Sequence, residues 1–261
     1  MTRIELPCPY RLVELDCVDS TNVEAKRLAE EGCADYTVVW AKRQTQGRGR
    51  RGREWVSKPG NLYFSVVLRP PRPMADVVQL SFVAANALAD TIARITPPGI
   101  VINVKWPNDV LVDGKKISGI LMEGDTEPGS DHFKWVVLGI GVNVASHPLV
   151  HETASASTSL AAQGVQGEGL NIGTLLEVLS KEFLAGLEVW DTLGFAPVRH
   201  QWLLRAKGIG GSVRVRLPNE TLYGTFSTLD ESGALVLQKD GKPDRRITAG
   251  DVFILEEAQE V

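Results

Sequence analysis

Residues 46–68 read QGRGRRGREWVSKPGNLYFSVVL, and the segment after the glycines decides the fold. Gly47, Gly49 and Gly52 satisfy G-x-G-x-x-G. In a dinucleotide-binding fold that fingerprint leads from a strand into an apolar helix, with an acid about twenty positions on. Here it leads instead to Pro59 and Gly60, then to Leu62, Phe64, Val66 and Leu68 alternating with Tyr63, Ser65, Val67 and Arg69. A period of two is a strand, read here as half-buried. The loop therefore joins strand to strand, which leaves four arginines, Arg48, Arg50, Arg51 and Arg53, to be explained another way.

Outward from the loop, YRLVELD (10–16) reads as a strand. DSTNVEAKRLAEEG (19–32) reads as a helix with Ser20 or Thr21 as its cap and Gly32 as its stop. YTVVWAKRQ is a second strand before the loop. Beyond the loop, Pro73 introduces an apolar, alanine-rich helix from about Met74 to Ile95, whose missing polar side predicts burial. From 101 to 144 short strands meet at tight turns: VINVKW, DVLV, a DGK turn, KISGILMEG, a polar turn near Pro128, and FKWVVLGIGVNV. Consecutive short strands pair antiparallel, so the expected class is α+β, a mixed and largely antiparallel sheet with flanking helices.

A serine-rich polar loop around 155–162 precedes a helix from about Thr174 to Trp190. Its apolar stripe is Leu176, Leu179, Phe183, Leu187 and Trp190, and a shorter helix ends near Lys207. GIGG (208–211) marks a break, after which only SVRVRL, TLYGTFSTL, ALVLQ, RRIT and VFIL remain, parted by polar turns. Short strands so closely spaced suit a small closed barrel. The expected organisation is a catalytic-size domain at 1–207 and a small β-barrel domain at 208–261.

The chain has 261 residues, with 28 bases against 32 acids and a net charge of −4. As a whole it repels nucleic acid and anionic membrane, so an anion must be held locally. Cys8, Cys17 and Cys33 form no C-x-x-C pair, which favours a reducing cytosol over a disulfide framework or zinc site. Pro148 separates His147 from His151 and spoils a helical ligand pair, so no direct metal motif is present. No secretory leader is recognised and no apolar run reaches the roughly eighteen residues of a membrane span.

Three uses of the arginines remain. An inert solvated loop would not need three glycines. Arginines and glycines beside Trp55 could grip nucleic-acid phosphates and stack on bases, but the acidic total and the lack of a second basic cluster oppose that class. Guanidinium groups also make forked hydrogen bonds to carboxylates and phosphates. On this reading the loop is a lid, opened by mutual repulsion of its arginines and ordered by a small anionic substrate.

Four separated stretches, DSTN (19–22), QTQGRGRRGREW (44–55), KWPNDV followed by KKISGILME (105–123), and GIGVNV (139–144), resemble the biotin protein ligase family in order and spacing. The arginine loop and KWPND favour biotin over lipoate or octanoate within the related ligases. The resemblance implies a catalytic domain like that of class II aminoacyl-tRNA synthetases and biotin ligases, with an SH3-like C-terminal barrel. It also implies two reactions: biotin and ATP give biotinyl-5′-adenylate and pyrophosphate, then a lysine of a biotin carboxyl carrier protein takes the biotin. Mg2+ and a cytoplasmic setting come with that expectation. No nucleic acid or membrane partner is expected, and a homodimer is compatible with it.

Two like unit charges 4 Å apart repel by about 4 kcal/mol at an effective dielectric of 20, so joining a carboxylate to a triphosphate requires cations. By resemblance, Lys116 bridges the biotin carboxylate or its acyl-phosphate oxygens, with Arg50 as its ally. Lys105 meets the polyphosphate, and Arg51 and Arg53 join in holding the nucleotide. Asn108 contacts the nucleotide. Asp109 contacts the nucleotide or magnesium, or orients or deprotonates the incoming amine, since at the ordinary lysine pKa only roughly one amine in a thousand is neutral near pH 7.4. The ureido ring and pocket wall fall to Ser20, Thr21, Gln44, Gly47 and Arg48, with Gly119 and Gly139 giving the ring room. Gly141 and Asn143 face the adenine, and Trp55 stacks on it.

Ser20 and Thr21 could equally be helix caps. Two departures stand out. Family members that also repress transcription carry an amino-terminal winged helix for which this chain has no room, so repression is not expected. Gln46 occupies a position where the family often has a small residue, and it is expected to be tolerated.

Overall fold

The computed structural model describes residues 4–148, 156–239 and 241–255. His151, one half of the His147/His151 reading, and residue 155 of the serine-rich loop lie outside them. In chain order the elements are β1 (Arg11–Leu15), α1 (Thr21–Glu30), β2 (Thr37–Ala41), β3 (Leu62–Leu68), α2 (Met74–Val77), α3 (Leu80–Ile95), β4 (Ile102–Lys105), β5 (Asp109–Val112), β6 (Lys115–Thr126) and β7 (Phe133–Val142). Then come α4 (Ile172–Leu193), α5 (Phe195–Leu204), β8 (Ser212–Arg216), β9 (Thr221–Leu229), β10 (Leu235–Lys239), β11 (Lys242–Ile247) and β12 (Asp251–Ile254).

The first seven strands form one sheet in the order β1-β2-β3-β7-β6-β5-β4. Only β1 and β2 run parallel; every other neighbouring pair in it is antiparallel. This is the mixed sheet that the short, turn-linked strands imply. The hairpin between β5 and β6 turns at Asp113 and Gly114, both with positive φ (48° and 74°). Glycine adopts that geometry freely, and Asp113 is fixed in it by accepting the Val101 N–H on its carboxylate (3.0 Å).

β3 corrects the half-buried reading, because it lies between β2 and β7 and every one of its residues is buried. Leu62, Phe64, Val66 and Leu68 enter the main core under α3 and α4. On the other face Val67 packs with Ala25 and Ala29 of α1 and with Val39 and Val137. Tyr63 and Ser65 are polar enough to mimic a solvent face in sequence, yet Ser65 is met by Thr21 and Asn22 of α1 and the Tyr63 hydroxyl donates to the Lys58 carbonyl (2.8 Å). The expected helix from Met74 to Ile95 is interrupted after Val77, and the long apolar α3 resumes at Leu80. α4 starts at Ile172 because Asn171 accepts the N–H groups of Gly173 (2.9 Å) and Thr174 (3.2 Å).

The last five strands form a separate antiparallel sheet, β11-β10-β9-β8-β12. It does not swing free of the first. Phe226, Leu229 and Leu235 belong to the same continuous core as Trp106, Phe195 and Trp202. The indole N–H of Trp106 donates to the Gly233 carbonyl (3.1 Å), and Arg199 donates to that of Leu229. This packing brings β12 to the mouth of a cleft in the first sheet.

Candidate active site

A cleft of ≈ 230 Å³ lies where the N-terminus of α1, the arginine loop, the turn after β4 and the middle of β6 and β7 converge. Its floor is glycine. Gly119 pairs with Gly141 across β6 and β7, and Gly139 pairs with Leu121. The Trp55 ring lies against this floor: a Cβ at Gly141 would come within 2.6 Å of its indole, and one at Gly119 within 3.2 Å. Trp55 Nε1 is buried and makes no hydrogen bond within the protein, which leaves a donor beside the cleft.

One wall is a relay of side chains that hold each other. Gln44 accepts the N–H of Thr21 (2.7 Å) and its hydroxyl (3.1 Å), and donates to Ser57 (2.9 Å). Ser65 Oγ lies 2.8 Å from Thr21 Oγ1 and 2.6 Å from Asn22 Oδ1. Asn22 in turn donates to Glu123 (2.9 Å). Gln44 is thus occupied at both ends and serves the wall. Ser20, the residue before α1, makes no side-chain cap bond, so its buried hydroxyl is not spent on the helix.

Sequence reasoning misses Asn22, Ser65 and Glu123. DSTN contains Asn22, but nothing in the chain announces that Ser65 and Glu123 would meet it. Burial pushes Glu123 up, but hydrogen bonds from Asn22 and Lys26, with the charges of Lys26 and Arg48, hold its carboxyl below the usual range. A Cβ on Gly139 would fall on the Asn22 amide oxygen. Gly139→Ala is therefore expected to break the Asn22–Ser65 contact at a cost of about 1–3 kcal/mol. That lowers Tm by roughly 2–4 °C per kcal/mol, and an unchanged melting curve would show that Asn22 is free to move.

The other wall is cationic. Lys116 Nζ sits 2.6 Å from Asp109 Oδ1 and 5.5 Å from the Trp55 ring centre. The contact with Asp109 is a charge pair rather than an aligned hydrogen bond, since Asp109 Oδ1 is buried without a hydrogen-bonding partner. Lys105, at the end of β4, is 8% exposed. Burial lowers its pKa; Asp109 opposes that shift and Lys116 reinforces it. Arg50 Nη1 donates to Asn108 Oδ1 (3.1 Å), and Asn108 Nδ2 donates to the Ile120 carbonyl (2.6 Å). Burial lowers the Arg50 pKa as well. Asn143 is pinned through donation to the Thr158 carbonyl (2.9 Å), while its Oδ1 is buried and unpaired.

The arginine loop departs from the expectation of a segment driven open by its own charge. It is a closed turn in which Gly49 N–H donates to the Arg53 carbonyl (2.7 Å) and Trp55 N–H to that of Gly47 (2.9 Å). Arg51 takes the left-handed conformation (φ 56°) at its tip. Repulsion is offset by a carboxylate about two hundred residues away in sequence. Asp251 of β12 lies 3.1 Å from Arg51, 2.8 Å from Arg53 and 3.4 Å from Arg216.

Arg48 approaches Glu123 (3.6 Å). Arg51 and Gly47 do not line the cleft; Arg51 is turned to Asp251, and the space beside Gly47 is filled by the Trp55 carbonyl and Ser57 Oγ. Ser20, Thr21, Gln44, Arg48, Arg50, Arg53, Trp55, Lys105, Asn108, Asp109, Lys116, Gly119, Gly139, Gly141 and Asn143 all line it. Such a cleft can hold two anions side by side against a flat glycine floor.

Among known proteins, the Biotin/lipoate A/B protein ligase family matches residues 14–143, and the Biotin protein ligase C terminal domain matches residues 208–255. The chain is 40% identical over 238 residues to the biotin–[acetyl-CoA-carboxylase] ligase of Paracoccus denitrificans, covering 90% of this chain and 97% of that one. It is 36% identical over 230 residues to a bifunctional ligase/repressor of Bacillus subtilis (strain 168), covering 87% of this chain and 69% of that one. The solved biotin protein ligase from Aquifex aeolicus in complex with biotin and ATP matches with a TM-score of 0.76 at 30% identity, over 94% of this chain and 99% of that one. The chain belongs to the biotin protein ligase family and is an ATP-dependent ligase.

Proposed function

We propose that the chain joins biotin to ATP as biotinyl-5′-adenylate and then passes the biotin to one lysine of a biotin carboxyl carrier protein, that of an acetyl-CoA carboxylase or a related carboxylase. The observation that carries this reading is the placing of Lys105, Lys116 and Arg50 around one glycine-floored cleft. In the first step a biotin carboxylate oxygen attacks the α-phosphorus of ATP and pyrophosphate leaves. Lys116 and Arg50 offset charge on the shared oxygens, where preorganised donors act most strongly. Lys105 and Arg53 meet the polyphosphate, with Asn108 beside it, while Arg51 stays on Asp251 at the loop tip. Trp55 and Asn143 receive the adenine, while Ser20, Thr21 and Arg48 receive the bicyclic ring; Gly139 leaves room for Asn22, and Gly119 and Gly141 for the Trp55 ring.

In the second step the carrier amine attacks the acyl carbon and AMP leaves. The 2.6 Å Lys116–Asp109 pair links the two steps. A biotin carboxylate competes for the Lys116 ammonium, and Asp109 is then free to orient the amine and accept its proton. Bound Mg2+ would neutralise charge on the nucleotide phosphates. It would need few protein carboxylates, and Asp109, whose carboxylate lines the cleft, would be the residue to hold it. Among the described residues no cluster of three or more His, Cys, Asp or Glu could hold a metal.

The supporting division of labour is a catalytic unit at 1–207 and a C-terminal unit at 208–261. A nucleic-acid role is disfavoured because Arg50, Arg51 and Arg53 are directed to Asn108 and Asp251 instead of forming an open basic stripe. No described helix is long and apolar enough to cross a membrane. The test is biotin-dependent exchange of labelled pyrophosphate into ATP; exchange that ignores biotin would overturn the reading.

Lys105 supplies a pH prediction. In the free protein its pKa is lowered by burial, so above that lowered value the side chain is neutral. A bound polyphosphate favours the charged form. ATP binding therefore takes up a proton between the lowered value and the ordinary lysine value near 10.4, and affinity falls as pH rises through that window. Folding follows the opposite sign, because the unfolded chain holds the extra proton there and stability from this group increases with pH. Lys105→Met is expected to weaken ATP binding roughly 10–100-fold, as for loss of a charged hydrogen bond, and to abolish the proton uptake. Calorimetry in buffers of different ionisation enthalpy reads both; equal uptake in the variant would exclude Lys105.

A further inference from the structure

We propose that the outer face of the C-terminal sheet, where Arg214 lies between Tyr223 and Phe253 in one row across three strands, docks an acidic surface of the carrier protein while its lysine enters the cleft. This rests on the reading of the chain as a carrier-protein ligase. Arg214 of β8 is paired in register with Tyr223 of β9 on one side and Phe253 of β12 on the other. Residues directly opposite in adjacent strands share a face. Val213, Val215, Leu222 and Val252 alternate with them into the core, so the row points outward.

Arg214 stands 4.4 Å over the Phe253 ring and Arg216 5.2 Å over it. Among the described residues Arg214 makes no ion pair, and Tyr223 is 58% exposed. Two guanidinium groups braced on one aromatic ring are held in place with their hydrogen-bonding edges available. Arginine and tyrosine are also the residues that anchor protein interfaces.

The face is continuous with the reaction site. Asp251 lies two residues before Phe253 on the same side of β12 and lines the cleft. There, three guanidinium groups, from Arg51, Arg53 and Arg216, share the single Asp251 carboxylate. Two positive charges remain uncompensated, and Arg214 adds a third. The chain as a whole carries −4, so an acidic partner is repelled in general and drawn to this patch in particular.

The test uses purified, unbiotinylated carrier domain of a biotin-dependent acetyl-CoA carboxylase, with Arg214→Glu, Arg214→Lys and Tyr223→Ser ligases. Arg214→Glu is expected to raise KM for the carrier on the order of tenfold or more and to flatten its dependence on salt, with Tyr223→Ser also raising KM. Arg214→Lys should retain most of the salt dependence. Pyrophosphate exchange and transfer of biotin to hydroxylamine, which needs no docking, should match the parent in all three. An unchanged carrier KM in Arg214→Glu overturns the proposal. So does an equal loss of hydroxylamine transfer, which would place the defect in the site, or displacement of the carrier by a random DNA duplex at equal charge, which would assign the face to nucleic acid. If the parent chain shows no biotin-dependent exchange, it is the ligase reading that fails, and the docking face falls with it.

Discussion

Lys116→Ala is expected to lower biotin-dependent pyrophosphate exchange by about 10²–10³-fold, the usual loss when one preorganised charge-stabilising donor is removed. In the free protein Lys116 is partnered by a carboxylate inside the cleft, Asp109 at 2.6 Å. It is therefore already adapted to a carboxylate in this spot. Its removal takes away the charge that lets biotin approach the α-phosphate and leaves Asp109 as a bare anion in the cleft, so both effects oppose the reaction. Asp109→Asn in the same background relieves the second effect alone and should recover only part of the loss. Exchange by Lys116→Ala within a few-fold of the parent would remove Lys116 from the chemistry.

Arg50→Gly is expected to act on retention more than on formation. Arg50 ties the loop to Asn108 at 3.1 Å and reaches the Gly250 carbonyl at 3.5 Å. The substitution deletes a charged hydrogen bond, worth about 1.5–3 kcal/mol, and adds a fourth glycine to a loop that already has three within Gly47–Gly52. An acyl-adenylate held partly by that loop should leave roughly 10–100-fold faster. Free adenylate then acylates any accessible amine, so a bystander protein without a carrier domain becomes labelled. The readouts are the half-life of the bound intermediate after gel filtration and the labelling of serum albumin. An intermediate held as long as by the parent would contradict this assignment.

Much of the frame is legible in the sequence because it rests on local rules. The strand after the glycines excludes a doubly wound sheet, the turn at Asp113 and Gly114 has the positive φ values that such a hairpin demands, and Gly139, Gly141, Lys105 and Lys116 fall in one cleft. The illegible part depends on partners distant in sequence. The alternation in β3 reads as one wet face, since nothing in LYFSVVL states that Thr21 and Asn22 of α1 will meet Ser65. The arginines read as self-repelling because Asp251, at the start of the last described strand, carries no local sign that it will meet them. Gln44 lines the cleft as the motif suggests, but that Thr21 and Ser57 would hold the two ends of its amide is not written in the sequence. Each miss is a polar side chain whose hydrogen-bond partners are set by tertiary packing.

The central claim is that clustered cations above a glycine floor let two anions condense and then hold the product. Native mass spectrometry of the chain after incubation with biotin, ATP and Mg2+, followed by removal of free small molecules, tests it most directly. The account predicts a bound species heavier by biotin plus AMP, formed only when both substrates are present and discharged on adding the carrier domain. Biotin and ATP that bind independently, with no such species and no pyrophosphate released, would contradict it.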